Sequence, residues 1–283
     1  MTVTADQAVR YLARTADGRP LVGDETGFVP LQSAFPDAES VRDALPRAPG
    51  GLDALDDAMA DPISRENLAF GPCLARPGKL FGIGLNYADH AADLSEEPPE
   101  EPASFFKPAT AATGPGGPIR LPPTEQTERV TAEAELAVVI GRTCRNVSAA
   151  DADEVIAGYT PVIDMTAEDV LQRNPRFLTR SKSYDTFLVL GPHVAVPGPG
   201  ASLDDIEVRT IVNGEVRARN TVANTHFSPR ELVAIHSEVM TLEPGDVIST
   251  GTPGAHRITP GDHVRAELDR FGSVDANVVR REG

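Results

Sequence analysis

Tryptophan is absent from the 283 residues, cysteine occurs twice, and aromatic residues make up only 5%. Positive charge is short as well: 26 Lys and Arg stand against 42 Asp and Glu, a formal net charge of −16, and lysine is the scarcer cation. Each shortage excludes something. Cys73 and Cys144 lie far apart with no Cys-x-x-Cys partner, so a disulfide scaffold or cysteine zinc site is not expected, and free thiols in a reducing, cytoplasmic compartment are. The negative balance argues against nucleic acid and anionic membranes as partners. No apolar run reaches transmembrane length, and no charged-then-apolar leader opens the sequence.

What is there in quantity is acid, and one stretch organises it. Glu133-Ala134-Glu135-Leu136-Ala137-Val138-Val139-Ile140 is rich in β-branched residues towards its end and stops at Gly141, as a strand does. Alternation then puts Glu133 and Glu135 on one face and Ala134, Leu136, Val138 and Ile140 towards the core. An isolated Glu-x-Glu is ordinarily a half-exposed strand with two solvated acids. Asp164 changes the balance. It closes a second apolar run, Gly158 to Ile163, and stands before a helix-like segment from Ala167 to Gln172, where an acid alone would read as a helix cap. Three carboxylates without His or Cys make an all-oxygen site suited to Mg²⁺, Mn²⁺ or Ca²⁺. They would leave one net negative charge and open positions for water or a chelating substrate.

The chain divides near residue 75. Residues 1–75 read as a small β-containing module: a hairpin from Tyr11–Arg14 through Asp17-Gly18 to Arg19–Gly23, a third strand at Phe28–Leu31, and a short amphipathic helix from Leu52 to Met59. Residues 76–283 read as the metal-binding catalytic domain. Gly82-x-Gly84 lacks the third glycine of a dinucleotide fingerprint, and the glycine-rich turn at 113–118 lacks the Gly-Lys-Ser/Thr ending of a phosphate loop. His90 and Asp93 have the spacing of one helical turn, and an acid there would orient and charge the imidazole for general-base work. They precede an acidic, proline-rich stretch, Ser95 to Pro102, with the composition of a surface loop or lid. Lys107 ends an apolar strand, either solvated or balancing the acids. His193, His226, His236 and His263 read as structural or surface residues. His256 and Arg257 follow the loop Gly251-Thr252-Pro253 and are candidates to bind an anionic end of a substrate.

Several short patterns occur in a fixed order: Gly-x-Gly-Leu-Asn-Tyr-x-x-His, Phe-x-Lys-Pro, Glu-x-Glu-Leu-x-x-Val-Ile-Gly, Asp-Met-Thr-Ala, Lys-Ser-Tyr-Asp-Thr-Phe, and Leu-Glu-Pro-Gly-Asp-Val-Ile-x-Thr-Gly-Thr-Pro. Together they resemble the fumarylacetoacetate hydrolase family over roughly residues 79–280. The resemblance implies a strand-dominated α+β fold, a mixed β-roll or sandwich, with Mg²⁺ or Mn²⁺. By position, Glu133, Glu135 and Asp164 match the family's metal ligands, and Lys182 the lysine that reaches metal-bound substrate or water. His90 with Asp93 matches a water-activating dyad, and Thr252 a threonine that contacts the substrate carboxylate. Lys107, His256 and Arg257 complete the expected substrate-binding set.

The departures bear on the substrate. The dyad acid is commonly Glu rather than Asp93; Ile163 stands where many members have Asn, and Glu168 where many have Arg. The loop after Thr252 reads Pro253-Gly254-Ala255-His256 where many members continue to Gly-Val-Gly. The expected activity is hydrolysis of a carbon–carbon bond in a β-diketo acid of the acylpyruvate, fumarylacetoacetate or fumarylpyruvate type. A small anionic 2-oxo acid is the expected ligand and a homodimer the expected assembly. Decarboxylation of an oxaloacetate-like acid and isomerisation of an unsaturated 2-oxo acid use the same enolate-stabilising site. A non-catalytic binding protein that keeps only the fold is a further alternative.

Overall fold

The computed structural model describes residues 9–87 and 99–280. Strands dominate it, in two sheets. The N-terminal part supplies β1 (Val9–Arg14), β2 (Pro20–Asp24) and β3 (Gly27–Pro30). After the helical turn α1 (Val41–Ala44) come β4 (Leu80–Gly84), β5 (Ala103–Lys107), β6 (Ala112–Thr113), β7 (Gly116–Leu121), β8 (Val130–Ile140) and β9 (Ile156–Ala167). Short helices α2 (Glu168–Arg173) and α3 (Leu178–Lys182) lead to β10 (Leu188–Leu190), β11 (His193–Pro197), β12 (Glu207–Val212) and β13 (Glu215–Thr221). The amphipathic helix α4 (Pro229–Val239) precedes β14 (Val247–Ser249), β15 (His256–Ile258), β16 (His263–Leu268) and β17 (Gly272–Arg280).

The main sheet runs β3-β2-β1-β11-β9-β8-β14-β4-β5, with β6, β10 and β15 attached, and the second runs β13-β12-β16-β17-β7. The expected N-terminal hairpin and third strand are present, and β1 joins them to the main sheet through antiparallel pairing with β11. The segment from Leu52 to Met59 forms no α-helix. Leu55, Asp56 and Ala58 donate to the carbonyls three residues back, giving a 3-10 turn at Asp53–Leu55. The buried residues there, Leu52 and Leu55, are spaced by three, which suits the tighter winding.

Strand β8 is the divider. Ala132, Ala134, Leu136, Val138 and Ile140 pack between the two sheets, together with Val208, Val264 and Ala276 of the smaller one. On the opposite face, Ala137 and Val139 enter a second core with Leu12, Val22 and Leu45 of the N-terminal part. β8 is thus not the half-exposed strand that an isolated Glu-x-Glu ordinarily marks: both faces are covered and all of β8 is buried. Strand β9 lies antiparallel to β8 along nearly its whole length. On its other side, pairing passes from β11 at Tyr159 to β10 at Val162, and Pro161, which lacks an N–H, sits at that change. Gly191 makes the corner possible, since a Cβ there would lie 2.3 Å from Thr160 Oγ1.

His193 pins the N-terminal part to this frame. Its Nε2 lies 2.8 Å from the Phe271 carbonyl and its Nδ1 3.0 Å from the Arg65 guanidinium. Arginine only donates, so Nδ1 accepts and the proton sits on Nε2. Burial, reinforced by the Arg65 charge, pushes the imidazole down to about 3. Among the described residues no helix is long and apolar enough to cross a membrane.

Candidate metal centre

The acids meet because of strand register. Glu133 of β8 is directly opposite Asp164 of β9, so both side chains leave the same face of the sheet, and Glu135 follows on that face two residues later. Asp164 is thus not the helix cap that its sequence position suggests: β9 continues to Ala167 and α2 begins only at Glu168. One oxygen from each of the three carboxylates lies within 4.8 Å of the others, and all three residues are buried.

Room for the site comes from a break in pairing. The outer edge of β8 pairs β14 at Ala137–Val139 and β15 at Val130–Ala132, and the loop after β14 faces the intervening residues. Backbone groups in that gap find other partners: Thr250 donates to the Leu136 carbonyl, and the Ala134 N–H donates to Thr210 Oγ1. Gly251 in this loop has φ +97°, and a Cβ on it would come within 2.8 Å of Asn86 Cβ. Its N–H donates to Glu135 Oε2 at 2.8 Å.

Hydrogen bonds and two ammonium groups hold the carboxylates in place. Ser249 Oγ and the Gly251 N–H both donate to Glu135 Oε2. Thr166 Oγ1 and Thr131 Oγ1 donate to Glu133 Oε1, at 2.8 and 3.3 Å. Lys107 Nζ lies 2.6 Å from Asp164 Oδ1. Lys182, at the end of α3, spans two acids, 3.1 Å from Glu133 Oε2 and 3.4 Å from Asp164 Oδ2. Its ammonium also lies 4.9 Å over the Phe105 ring, which has space only because position 82 is glycine: a Cβ there would meet the ring at 2.2 Å.

Burial and charge set the protonation states. Glu135 is pushed up to about 8, first by burial and then by Asp164 and Glu133, with Lys182 and Ser249 working in the opposite sense. Burial presses Lys182 down, but Asp164, Glu133 and Glu135 outweigh it and hold the ammonium above the ordinary lysine range. Lys107 is brought down to about 8 by burial, against the pull of Asp164. Burial and the Glu135 charge push the Tyr87 phenol up, so it remains a hydroxyl.

The donor set fits a hard divalent cation. It consists of oxygen alone, and once all three carboxylates are ionised, as coordination of a cation requires, they exceed the two ammonium groups by one negative charge. Among the described residues the Asp164 oxygens find no polar partner besides the Lys107 and Lys182 ammonium groups. Such a group is costly to bury without a further cation.

The other expected residues fall in different places. Lys107, expected on the substrate side, gives its ammonium protons to the carbonyls of Met165, Lys182 and Phe187, so it braces the site from behind rather than facing a ligand. Thr252 is buried beside Gly251, and its hydroxyl lies 3.1 Å from the Gly254 carbonyl. Arg257 is opposite Thr131 and so shares the sheet face of the acids; exposed at the rim, it donates to the Glu128 carbonyl. His256, opposite Ala132, leaves from the other face and is separated from the acids. His90 and Asp93 lie outside the described residues. Of the departures, Ile163 is core, and Glu168 is neutralised by Arg129 at 3.0 Å. The sequence reading missed Thr131, Thr166, Ser249, Gly251, Phe105 and Asn86. Parity with the acids on paired strands was the available signal for the two threonines.

The family model described as fumarylacetoacetate (FAA) hydrolase C-terminal matches residues 79–279. A curated relative, the 4-hydroxyphenylacetate degradation bifunctional isomerase/decarboxylase of Escherichia coli, is 40% identical over 238 residues, covering 82% of this chain and 54% of its own. The crystal structure of 5-carboxymethyl-2-hydroxymuconate delta-isomerase from Mycobacterium smegmatis is similar with a TM-score of 0.75 and 33% identity, covering 98% of this chain and all of its own. Maleylpyruvate hydrolase from Sphingobium sp. SYK-6, in complex with manganese(II) and pyruvate, aligns with a TM-score of 0.79 and 28% identity, over 96% of this chain and all of its own. By its motifs, its strand-dominated fold and the match over residues 79–279, the chain belongs to the fumarylacetoacetate hydrolase family.

Proposed function

We propose that the chain is a divalent-metal-dependent enzyme that hydrolyses a carbon–carbon bond in a β-diketo acid of the acylpyruvate, fumarylacetoacetate or fumarylpyruvate type. The observation that carries this reading is the buried Glu133–Glu135–Asp164 set with the Lys182 ammonium lying across two of its members. These three residues would hold Mg²⁺ or Mn²⁺, with Ca²⁺ the larger alternative for an oxygen set. An ion held there would supply Lewis-acid stabilisation of the negative charge that develops on a 2-oxo acid.

The rest is the work of side chains. Lys182, held charged by its acids, donates to the oxygen on which enolate charge develops. Arg257 at the rim favours an anionic substrate, and the Thr252 hydroxyl, which in the free chain donates to the Gly254 carbonyl, donates instead to the substrate carboxylate. His90, oriented by Asp93, takes a proton from the water that attacks the distal carbonyl. The new carbon–oxygen bond completes a carboxylic acid, the carbon–carbon bond breaks, and its electron pair stays with the 2-oxo fragment as an enolate. Return of a proton to that carbon gives the 2-oxo acid.

A second reading is favoured by the similarity to the Escherichia coli isomerase/decarboxylase: decarboxylation or isomerisation through the same enolate. Neither reaction needs an activated water. Pyruvate release from a panel of acylpyruvates, with and without Mg²⁺ or Mn²⁺, therefore separates the two when run with a His90→Ala variant and an oxaloacetate control. Metal-dependent cleavage lost in the variant supports hydrolysis; turnover of oxaloacetate alone, kept in the variant, replaces it with the second reading. A homodimer belongs to the proposal and is tested by sedimentation.

A further inference from the structure

Strand β4 ends in a costly bend. Leu85 has φ +57°, a left-handed conformation that a branched L-residue seldom adopts, and the bend is enforced by Asn86. The Asn86 amide donates to the carbonyls of Thr250 and Phe227, its side-chain oxygen accepts from the Phe227 N–H, and its own carbonyl accepts from His226. Those bonds fasten the bend to the Thr250–Gly251 loop, the same loop that donates to Glu135. Tyr87 follows at once, its main chain bridged to Thr225.

The phenol so placed is fully buried, and among the described residues its hydroxyl has no hydrogen-bond partner. A phenylalanine would fill the same space without leaving a polar atom unpaired. The segment itself lies against the acid cluster: a Cβ on Gly251 would come within 2.8 Å of Asn86 Cβ, and the Gly251 N–H donates to Glu135. Yet Glu135 Oε2 is already taken by Ser249 and Gly251. The chain thus holds a buried donor next to the residue that fastens the Thr250–Gly251 loop, on a strained segment, and among the described residues supplies it with no acceptor.

We propose that Tyr87 is a substrate-contacting residue of this site, its hydroxyl donating to an oxygen of the anionic 2-oxo acid bound at Glu133, Glu135 and Asp164. The inference rests on the reading of the site given above and adds to it a donor on the Glu135 side, opposite in origin to the Lys182 donor that comes from α3. A 2-oxo acid would then be held between two donors fixed on separate elements, which discriminates against ligands with only one acceptor end.

The test is a Tyr87→Phe variant, with Mn²⁺ and then pyruvate or oxalate titrated into the metal-loaded protein by calorimetry, alongside thermal unfolding of both proteins. Loss of one hydrogen bond to a charged ligand should weaken pyruvate and oxalate about 10- to 100-fold. Mn²⁺ affinity should stay unchanged, and the unfolding midpoint should equal or exceed that of the wild type. A merely structural hydroxyl gives the opposite pattern, a lowered midpoint with ligand affinity intact, and that result overturns the proposal. Equal loss of Mn²⁺ affinity would also overturn it, because the phenol would then act through the ligands rather than on the substrate. Wild-type protein that binds Mn²⁺ but takes neither anion would remove the 2-oxo acid reading itself, and this proposal with it. Anion binding kept in full by the variant removes the proposal alone.

Discussion

Replacing His193 by glutamine should flatten the dependence of stability on acid. In the folded chain the imidazole is 0% exposed and stays neutral down to about 3, while in the unfolded chain it titrates near the ordinary value of about 6.5. Below pH 6.5 the unfolded state therefore binds a proton that the native state refuses, so stability is full above that pH and declines as pH falls towards the native value. Each pH unit in this window removes about 1.4 kcal/mol, so the loss between pH 7 and pH 5 comes to about 2 kcal/mol from this one residue. Below pH 5 the carboxylates begin to titrate as well, which makes pH 7 to 5 the useful interval. A glutamine side chain cannot titrate; the His193→Gln variant should start about 1–3 kcal/mol lower at pH 7, from the disturbed contacts with Arg65 and Phe271, and then lose about 2 kcal/mol less than the wild type on acidification. Urea unfolding followed by far-ultraviolet circular dichroism at pH 7, 6 and 5 measures both slopes, a suitable probe for a chain with no tryptophan. His236 is also buried and contributes to both proteins alike, so the difference isolates position 193. Parallel slopes for the two proteins would refute the reasoning.

Four further outcomes follow from the acid site. Mn²⁺ at a hundred times its dissociation constant should stabilise the wild type by about 2.7 kcal/mol in thermal unfolding. Asp164→Asn should abolish that gain and lower the metal-free protein by about 3–5 kcal/mol, because Lys107 and Lys182 lose a buried counter-charge; a variant that keeps the metal shift would remove Asp164 from the ligand set. Lys107→Met should cost a similar ~3–5 kcal/mol by leaving three inward carbonyls without their donor and Asp164 with only the more distant Lys182 ammonium, read by chemical denaturation, whereas a loss below about 1 kcal/mol would mean that the ammonium braces nothing. Gly82→Ala should force the Phe105 ring away and with it the surface on which Lys182 rests, lowering stability by about 1–3 kcal/mol and turnover disproportionately; a variant with native turnover would show that the ring does not position the lysine.

The sequence carried the site better than it carried the surroundings. Glu133 and Glu135 could be placed on one face because strand alternation is a local rule, and Asp164 joined them through a pattern of motifs. What alternation could not supply was coverage. Val130–Ile140 is buried on both faces because the N-terminal strands fold over one side and the smaller sheet over the other, a matter of distant segments. The same limit explains Lys107: at the end of an apolar strand it resembles a solvated lysine, and only the convergence of β9, α3 and the turn before β10 surrounds it with carbonyls. Ser249 and Asn86 were illegible for a related reason, since their partners lie more than a hundred residues away. The short helix expected at Leu52–Met59 had apolar spacings of three and four, Leu52, Leu55 and Met59, but only the first two are buried and the chain winds as a 3-10 turn there.

The scarcity of lysine has a practical side. The chain has only Lys79, Lys107 and Lys182, and each ammonium is committed to a carboxylate: Asp246 at 2.6 Å, Asp164 at 2.6 Å and Glu133 at 3.1 Å. Lys79 alone has appreciable exposure, its side chain 28% accessible. An amine-acylating reagent therefore meets one lysine side chain on the folded protein, and modification at positions 107 and 182 becomes a chemical clock for opening of the acid site. Labels, cross-linkers and solid supports that rely on lysine will attach at one defined corner or report that the centre has come apart.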